Sequence, residues 1–128
     1  MDLLLDTCAC IWSDSAGGSL SVAALAALAD QTNRLHLSYA SLWEMQLKSQ
    51  KGKLLLRKPL PEIIREQCAQ NGLALLAIEA DHIFNLAQLP PIHADPFDRL
   101  IISQAKVRGF SVVTDDGLFR KYGVPVVW

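Results

Sequence analysis

The chain has 128 residues, of which 51% are hydrophobic, and a formal net charge of −1, which gives one expected domain over 1–128 and no global attraction to nucleic acid. No apolar run reaches the length of a membrane span, and the first residues lack the basic region and cleavage site of a signal peptide, so no membrane role is expected and the cytoplasm is the expected location. Three cysteines, Cys8, Cys10 and Cys68, have neither the count nor the spacing of a disulfide framework or a C-x-x-C site and read as free structural thiols.

In chain order, strand and helix alternate. Asp2 to Asp6 reads as a buried strand, and Thr7 to Trp12 as a short helix capped by Asp6 or Thr7. A loop over Ser13 to Ser19 leads to an Ala/Leu-rich helix capped by Ser21 and running to Asp30. Arg34 to Ser38 alternates polar and apolar as a second strand, with His36 a tolerated strand residue. A helix from Ser41 runs to about Lys51 and stops at Gly52. Its Ser41-Leu42-Trp43-Glu44 start has the S-x-x-E pattern, which by itself favours a capping box for Glu44.

Pro61 to Asn71 is the next helix, with Gly72 as its C-terminal stop, and Leu73 to Ile78 a third strand. Glu79 to Leu89 reads as a helix with Ile83, Leu86 and Ala87 inward and His82 at the surface or rim. Pro90-Pro91 ends it, and Ile92-His93-Ala94 feeds the next helix. That helix has Asp95 as N-cap, Pro96 in the first position, Ile101, Ile102 and Ala105 as its apolar face, and Gly109 at its end. Ser111 to Thr114 is a fourth strand, Leu118 to Tyr122 a short helix that Asp116 could cap, and Val124 to Trp128 a fifth strand. Repeated strand-then-helix order predicts an α/β fold whose mostly parallel sheet carries helices on both faces.

Five acids fall where such a fold collects them. Asp6 ends the first strand, Asp115 and Asp116 follow the fourth, and Asp95 and Asp98 start the helix between. Open parallel sheets bind ligands beyond the carboxyl ends of their strands, so these acids are drawn to one crevice. Asp98 in a first turn is by itself an ordinary complement to the helix dipole. Together with Glu44, however, the acids need a counter-charge, and an oxygen-only donor set selects a hard cation, Mg²⁺ or Mn²⁺, over zinc. A carboxylate-held cation suits phosphodiester hydrolysis. Lys48, Lys51, Lys53, Arg57 and Lys58 form a basic run that is either a solvated face or a phosphate-contacting patch. The mean hydropathy of +0.21 leaves an apolar surplus that reads as interface.

Leu3-Leu4-Leu5-Asp6-Thr7, Ser41-Leu42-Trp43-Glu44, Asp95-Pro96-Phe97-Asp98-Arg99, Val113-Thr114-Asp115-Asp116 and the ending Tyr122-Gly123-Val124-Pro125-Val126-Val127-Trp128 resemble the PIN-domain family. More closely, they resemble the VapC-type toxins of bacterial toxin-antitoxin pairs. The resemblance implies a PIN-like three-layer α/β/α domain with a five-stranded, mostly parallel sheet. It also implies a Mg²⁺-dependent endoribonuclease acting on tRNA or ribosomal RNA, dimeric and inhibited by a cognate antitoxin. By position, Asp6, Glu44 and Asp98 match the family's central acids and Asp116 the acid after the Thr, with either Asp115 or Asp116 facing the metal. Thr7 and Thr114 would orient metal waters, and Cys8 stands where relatives often have His. With this pattern, Glu44 moves from capping box to metal ligand or water-orienting acid. The alternatives are a PIN-type RNA-processing nuclease without an antitoxin and a non-catalytic RNA- or protein-binding domain.

Overall fold

Three consecutive leucines dictate the layering. Leu3, Leu4 and Leu5 are 0%, 0% and 2% exposed, and because successive strand side chains point to opposite faces, such a strand must be covered on both. In the computed structural model, which describes residues 1–15 and 18–128, Leu4 joins one core cluster with Ile101, Ile102, Val112 and Phe119. Leu3 and Leu5 join a second with Cys10, Leu37, Met45 and Ile64. The sheet therefore lies between two helical layers, the α/β/α arrangement expected.

The elements are β1 (Asp2–Leu5), α1 (Thr7–Asp14), α2 (Val22–Ala29), β2 (Arg34–Ser38), α3 (Tyr39–Gln50), α4 (Leu60–Asn71), β3 (Ala74–Leu76), α5 (Ala80–Phe84), α6 (Pro96–Arg108), β4 (Ser111–Val113) and β5 (Val126–Val127), with 3-10 turns at Asn85–Gln88 and Phe119–Tyr122. Every strand pairing is parallel, in the order β3-β2-β1-β4-β5, so the expected mostly parallel sheet is wholly so. The chain builds outward from β1 through β2 to β3, then crosses back to lay β4 on the other side of β1. That reversal opens a crevice beyond the carboxyl ends of β1 and β4.

Several local expectations are corrected. α1 continues to Asp14, so the loop expected from Ser13 starts later, and its positions 16 and 17 lie outside the described residues. β2 runs directly into α3, which makes the last strand residue, Ser38, the N-cap; its hydroxyl accepts from Ala40 N–H at 2.9 Å. Ser41 is therefore inside the helix, and the Ser41/Glu44 capping box does not form.

The helix expected over Glu79–Leu89 divides into α5 and a 3-10 turn. Leu86 packs on the core as expected, but Ile83 is 51% exposed and Ala87 also faces outward. The inward side of α5 is polar instead. His82, expected at the surface, is 1% exposed. Its Nδ1 accepts from Glu79 N–H at 3.0 Å, and Ser103 Oγ of α6 donates to its carbonyl at 2.5 Å. These partners satisfy His82 and Ser103, whereas Gln104, whose Nε2 lies 3.2 Å from His82 Nδ1, keeps a buried Oε1 without a partner. β3 and β5 are shorter than expected. At β5, Val124 turns into the core and Trp128 packs against Trp12, 5.7 Å between ring centroids.

Candidate active site

β1 ends at Leu5, and Asp6 turns the chain into α1 as its N-cap. Its Oδ1 accepts from Ala9 N–H at 2.7 Å, and its Oδ2 accepts from Thr114 Oγ1, at the end of β4, at 2.6 Å. Both oxygens of a nearly buried carboxylate are thus fixed across the central strand pair. Thr7, the next residue, donates its hydroxyl to Glu44 Oε1 at 2.6 Å. Glu44 is 5% exposed and is reached from outside by Lys48, one turn further along α3, whose Nζ lies 2.5 Å from Oε2. That contact raises the lysine pKa. Trp43, next to Glu44, packs edge-on against Phe97, next to Asp98, at 5.1 Å, so an aromatic contact joins the two acid-bearing helices.

At the start of α6, Asp95 Oδ1 accepts from the Phe97 and Asp98 N–H groups at 2.8 and 3.0 Å. Asp95 is occupied as a cap, and Asp98 is left projecting from the first turn. Asp98 Oδ2 meets His93 Nε2 at 3.0 Å, and Asp116 Oδ2 meets the same nitrogen at 2.8 Å. The other Asp116 oxygen accepts from Leu118 N–H at 2.9 Å. Asp116 therefore stands beside Asp98, whereas Asp115 is exposed.

Nothing in the sequence singles out His93. Its spacing from Asp116 carries no signal, because the pair meets only through the packing of α6 beside β4. The one available clue is its place in the loop that feeds the Asp95 cap. His93 Nδ1 accepts from Asp95 N–H at 3.2 Å, which places the ring proton on Nε2 and makes that nitrogen a donor to Asp116, with Asp98 in close contact beside it. The imidazole accordingly leaves the ligand set as oxygens alone.

The electrostatics register the crowding. Asp98 is pushed up to about 7, first by burial and then by the charge of Asp95, with His93 pulling the other way and Glu44 and Asp6 raising it further. Asp6 is pushed up to about 6, again first by burial. Hydrogen bonds from Thr114 and Ala9 oppose that rise, and the charges of Asp115 and Asp116 add to it. The nearby cation, Lys48, is engaged by Glu44. Ionised oxygens that burial and mutual repulsion disfavour are what a divalent cation compensates, so the donor set fits Mg²⁺ or Mn²⁺.

The basic run does not act as a single patch. Arg57 pairs with Asp14 at 2.9 Å and Glu66 at 2.7 Å, and Lys58 pairs with Glu66; Lys58 first, then Arg57, draws the Glu66 pKa down to about 2. Lys51 and Lys53 are exposed and form no ion pair among the described residues. His36 meets Asp2 at 3.0 Å and stacks on Phe110. All three cysteines are free. Cys10 lies in the core, its pKa pushed up to about 12 by burial, and the Cys8 thiol rises to about 11 through desolvation and then the Asp6 and Glu44 charges.

A family model described as PIN domain matches residues 3–125. The fold is similar to a chain of VapBC2 from Rickettsia felis, solved bound to a DNA fragment from its promoter, at TM-score 0.75 and 18% identity over 98% of this chain and 97% of that one. It is also similar to a chain of DNA-bound VapBC from Salmonella typhimurium, at TM-score 0.67 and 18% identity over 98% and 96% of the two chains. A third similar fold is in FitAcB from Neisseria gonorrhoeae, at TM-score 0.64 and 22% identity over 97% and 95%. Comparison with curated proteins gave no match.

Proposed function

Since the chain belongs to the PIN domain family, we propose that it is a divalent-cation-dependent endoribonuclease that hydrolyses RNA phosphodiester bonds and serves as the toxin of a toxin-antitoxin pair. The observation that carries this reading is the crowding of Asp6, Asp98 and Asp116 at the point where the strand order reverses, with Asp98 raised to about 7 and Asp6 to about 6. A domain that only binds RNA or protein gains nothing from gathering one buried and two half-buried acids whose charges oppose ionisation.

Asp6, Asp98 and Asp116 would hold Mg²⁺ or Mn²⁺. When bound, the cation supplies a water of lowered pKa and stabilises charge on the phosphorus and leaving oxygen. Glu44 is set back, with Oε1 accepting from Thr7 and Oε2 paired with Lys48, and this suits it to orient the attacking water rather than to hold the ion. Thr114 and the Ala9 N–H fix the direction of the Asp6 carboxylate. Leu118 N–H does the same for Asp116. Asp95 acts through the α6 cap, and the exposed Asp115 adds negative charge near Asp6.

The toxin assignment draws support from the VapBC and FitAcB structures that share the fold. An apolar groove between α3 and α4, lined by Leu42, Trp43, Leu60 and Ile64, is suited to an amphipathic helix of the cognate antitoxin. The substrate assigned is tRNA or ribosomal RNA, with Lys51 and Lys53 available for its phosphates, and the working form is a cytoplasmic homodimer. No helix among the described residues is long and apolar enough to cross a membrane.

The test is incubation of purified, antitoxin-free protein with total RNA in Mg²⁺, in EDTA, and with Asp98→Asn in parallel. Discrete Mg²⁺-dependent cuts absent from the other two arms are expected. Intact RNA from folded, metal-loaded protein would overturn the assignment. A short reading frame upstream that encodes a small DNA-binding protein with an amphipathic tail distinguishes the toxin from an RNA-processing nuclease.

A further inference from the structure

We propose that His93 is a positioning residue: its Nε2–H, which donates to Asp116 and faces Asp98, holds the two carboxylates in convergence, and that hold sets the affinity of the crevice for a divalent cation. The inference rests on the reading of the crevice as a cation site. Asp98 and Asp116 come from separate elements and repel one another, so their facing oxygens stay close only if something lies between them. Asp98 Oδ2 is 3.0 Å and Asp116 Oδ2 is 2.8 Å from His93 Nε2, and the three side chains offer atoms that all lie within 4.8 Å of one another.

The ring that makes this bridge is itself held on several sides. Asp95 N–H donates to Nδ1 at 3.2 Å, and the His93 N–H donates to Tyr122 Oη at 2.7 Å. The imidazole packs edge-on against Phe119 at 6.0 Å. Arg99 Nη1 donates to the same Tyr122 hydroxyl at 3.2 Å and to the Pro90 carbonyl at 3.0 Å, which staples the His93 loop to α6. A donor fixed by packing and hydrogen bonds that have no part in the chemistry is how a protein keeps ligands at a set separation.

The tautomer decides what kind of help His93 gives. With Nδ1 accepting from Asp95, Nε2 carries the proton and cannot ligate. Asp116 Oδ2 accepts that N–H with one lone pair and keeps another for a cation, while Asp98 Oδ2, 3.0 Å from the same nitrogen, keeps its lone pairs free. His93 therefore works alongside the ion, ordering its ligands, and neither replaces a ligand nor competes for the site.

The test measures Mn²⁺ affinity by electron paramagnetic resonance without RNA, for the wild-type protein, His93→Gln and His93→Ala, with thermal unfolding in EDTA as the check on folding. Loss of an outer hydrogen-bond partner of this kind weakens metal affinity by roughly 10–100-fold, the effect expected for His93→Ala. His93→Gln, which keeps an N–H donor at similar reach, recovers most of the loss. Nitrogen-15 spectra of the His93 ring are expected to show Nε2 protonated before and after saturation with Mg²⁺. Unchanged or tighter Mn²⁺ binding in His93→Ala would overturn the inference, as would loss of the Nε2 proton on saturation. If His93→Ala does not fold, the glutamine variant and the ring spectra decide. A wild-type protein that binds no Mn²⁺ would bring down both the cation reading of the crevice and this inference, whereas cation binding and RNA cleavage indifferent to position 93 would bring down this inference alone.

Discussion

Replacing Asp98 with Asn should stabilise the cation-free protein at neutral and alkaline pH while removing its activity. The Asp98 carboxyl is raised in the folded chain from 3.8 to about 7. Between those values the folded protein retains a proton that the unfolded chain has released, so stability falls as pH rises through that window. At 1.36 kcal/mol per pH unit the full fall is ~4 kcal/mol, and solvent screening at a side chain 22% exposed reduces it to roughly 2 kcal/mol. The opposing benefit of an ionised acid in the first turn of a helix is only about 0.3–1 kcal/mol, so the penalty wins. Urea unfolding in EDTA should find Asp98→Asn matching wild type near about pH 4 and exceeding it by roughly 2 kcal/mol near about pH 8. Saturating Mg²⁺ should then stabilise wild type far more than the variant. A variant less stable than wild type at the alkaline end would refute the reasoning and return Asp98 to the role of a helix-dipole partner.

Thr7→Val removes the hydrogen bond to the buried Glu44 carboxylate and should cost about 1.5–3 kcal/mol in denaturant unfolding, because the lost partner is charged. Ile102→Ala, at a position 0% exposed in the core beneath α6, should cost about 2–5 kcal/mol by the same assay without altering the cuts made by the folded fraction. Lys51→Ala with Lys53→Ala should lower the salt dependence of RNA binding by about 0.7 per charge removed. Arg57→Ala with Lys58→Ala should leave it nearly unchanged, since both cations are spent on Asp14 and Glu66; fluorescence titration over a salt series separates the two outcomes.

Layering and topology were legible because they follow from local pattern: three leucines in a row demand cover on both faces, and strand-then-helix order demands parallel pairing. Asp6, Asp95 and Pro96 were legible as helix starts for the same reason. Glu44 shows where local pattern misleads. S-x-x-E describes a capping box only if Ser41 is the cap, and the direct run of β2 into α3 gives that role to Ser38. His82 was misplaced because the side of α5 that faces inward is set by its partners on α6, Ser103 above all. His93 lay beyond reach because its two partners are neighbours only after α6 packs beside β4. Residues fixed by backbone geometry were readable; those fixed by contact between distant elements were not.

If the gathered acids promote attack by water on an RNA phosphodiester, the chemistry of the product ends records it. Mapping both termini of each Mg²⁺-dependent fragment should give 5′-phosphate and 3′-hydroxyl ends, since an external water leaves the ribose hydroxyl uninvolved. Fragments ending in 2′,3′-cyclic phosphate would contradict it, because attack would then have come from the RNA itself.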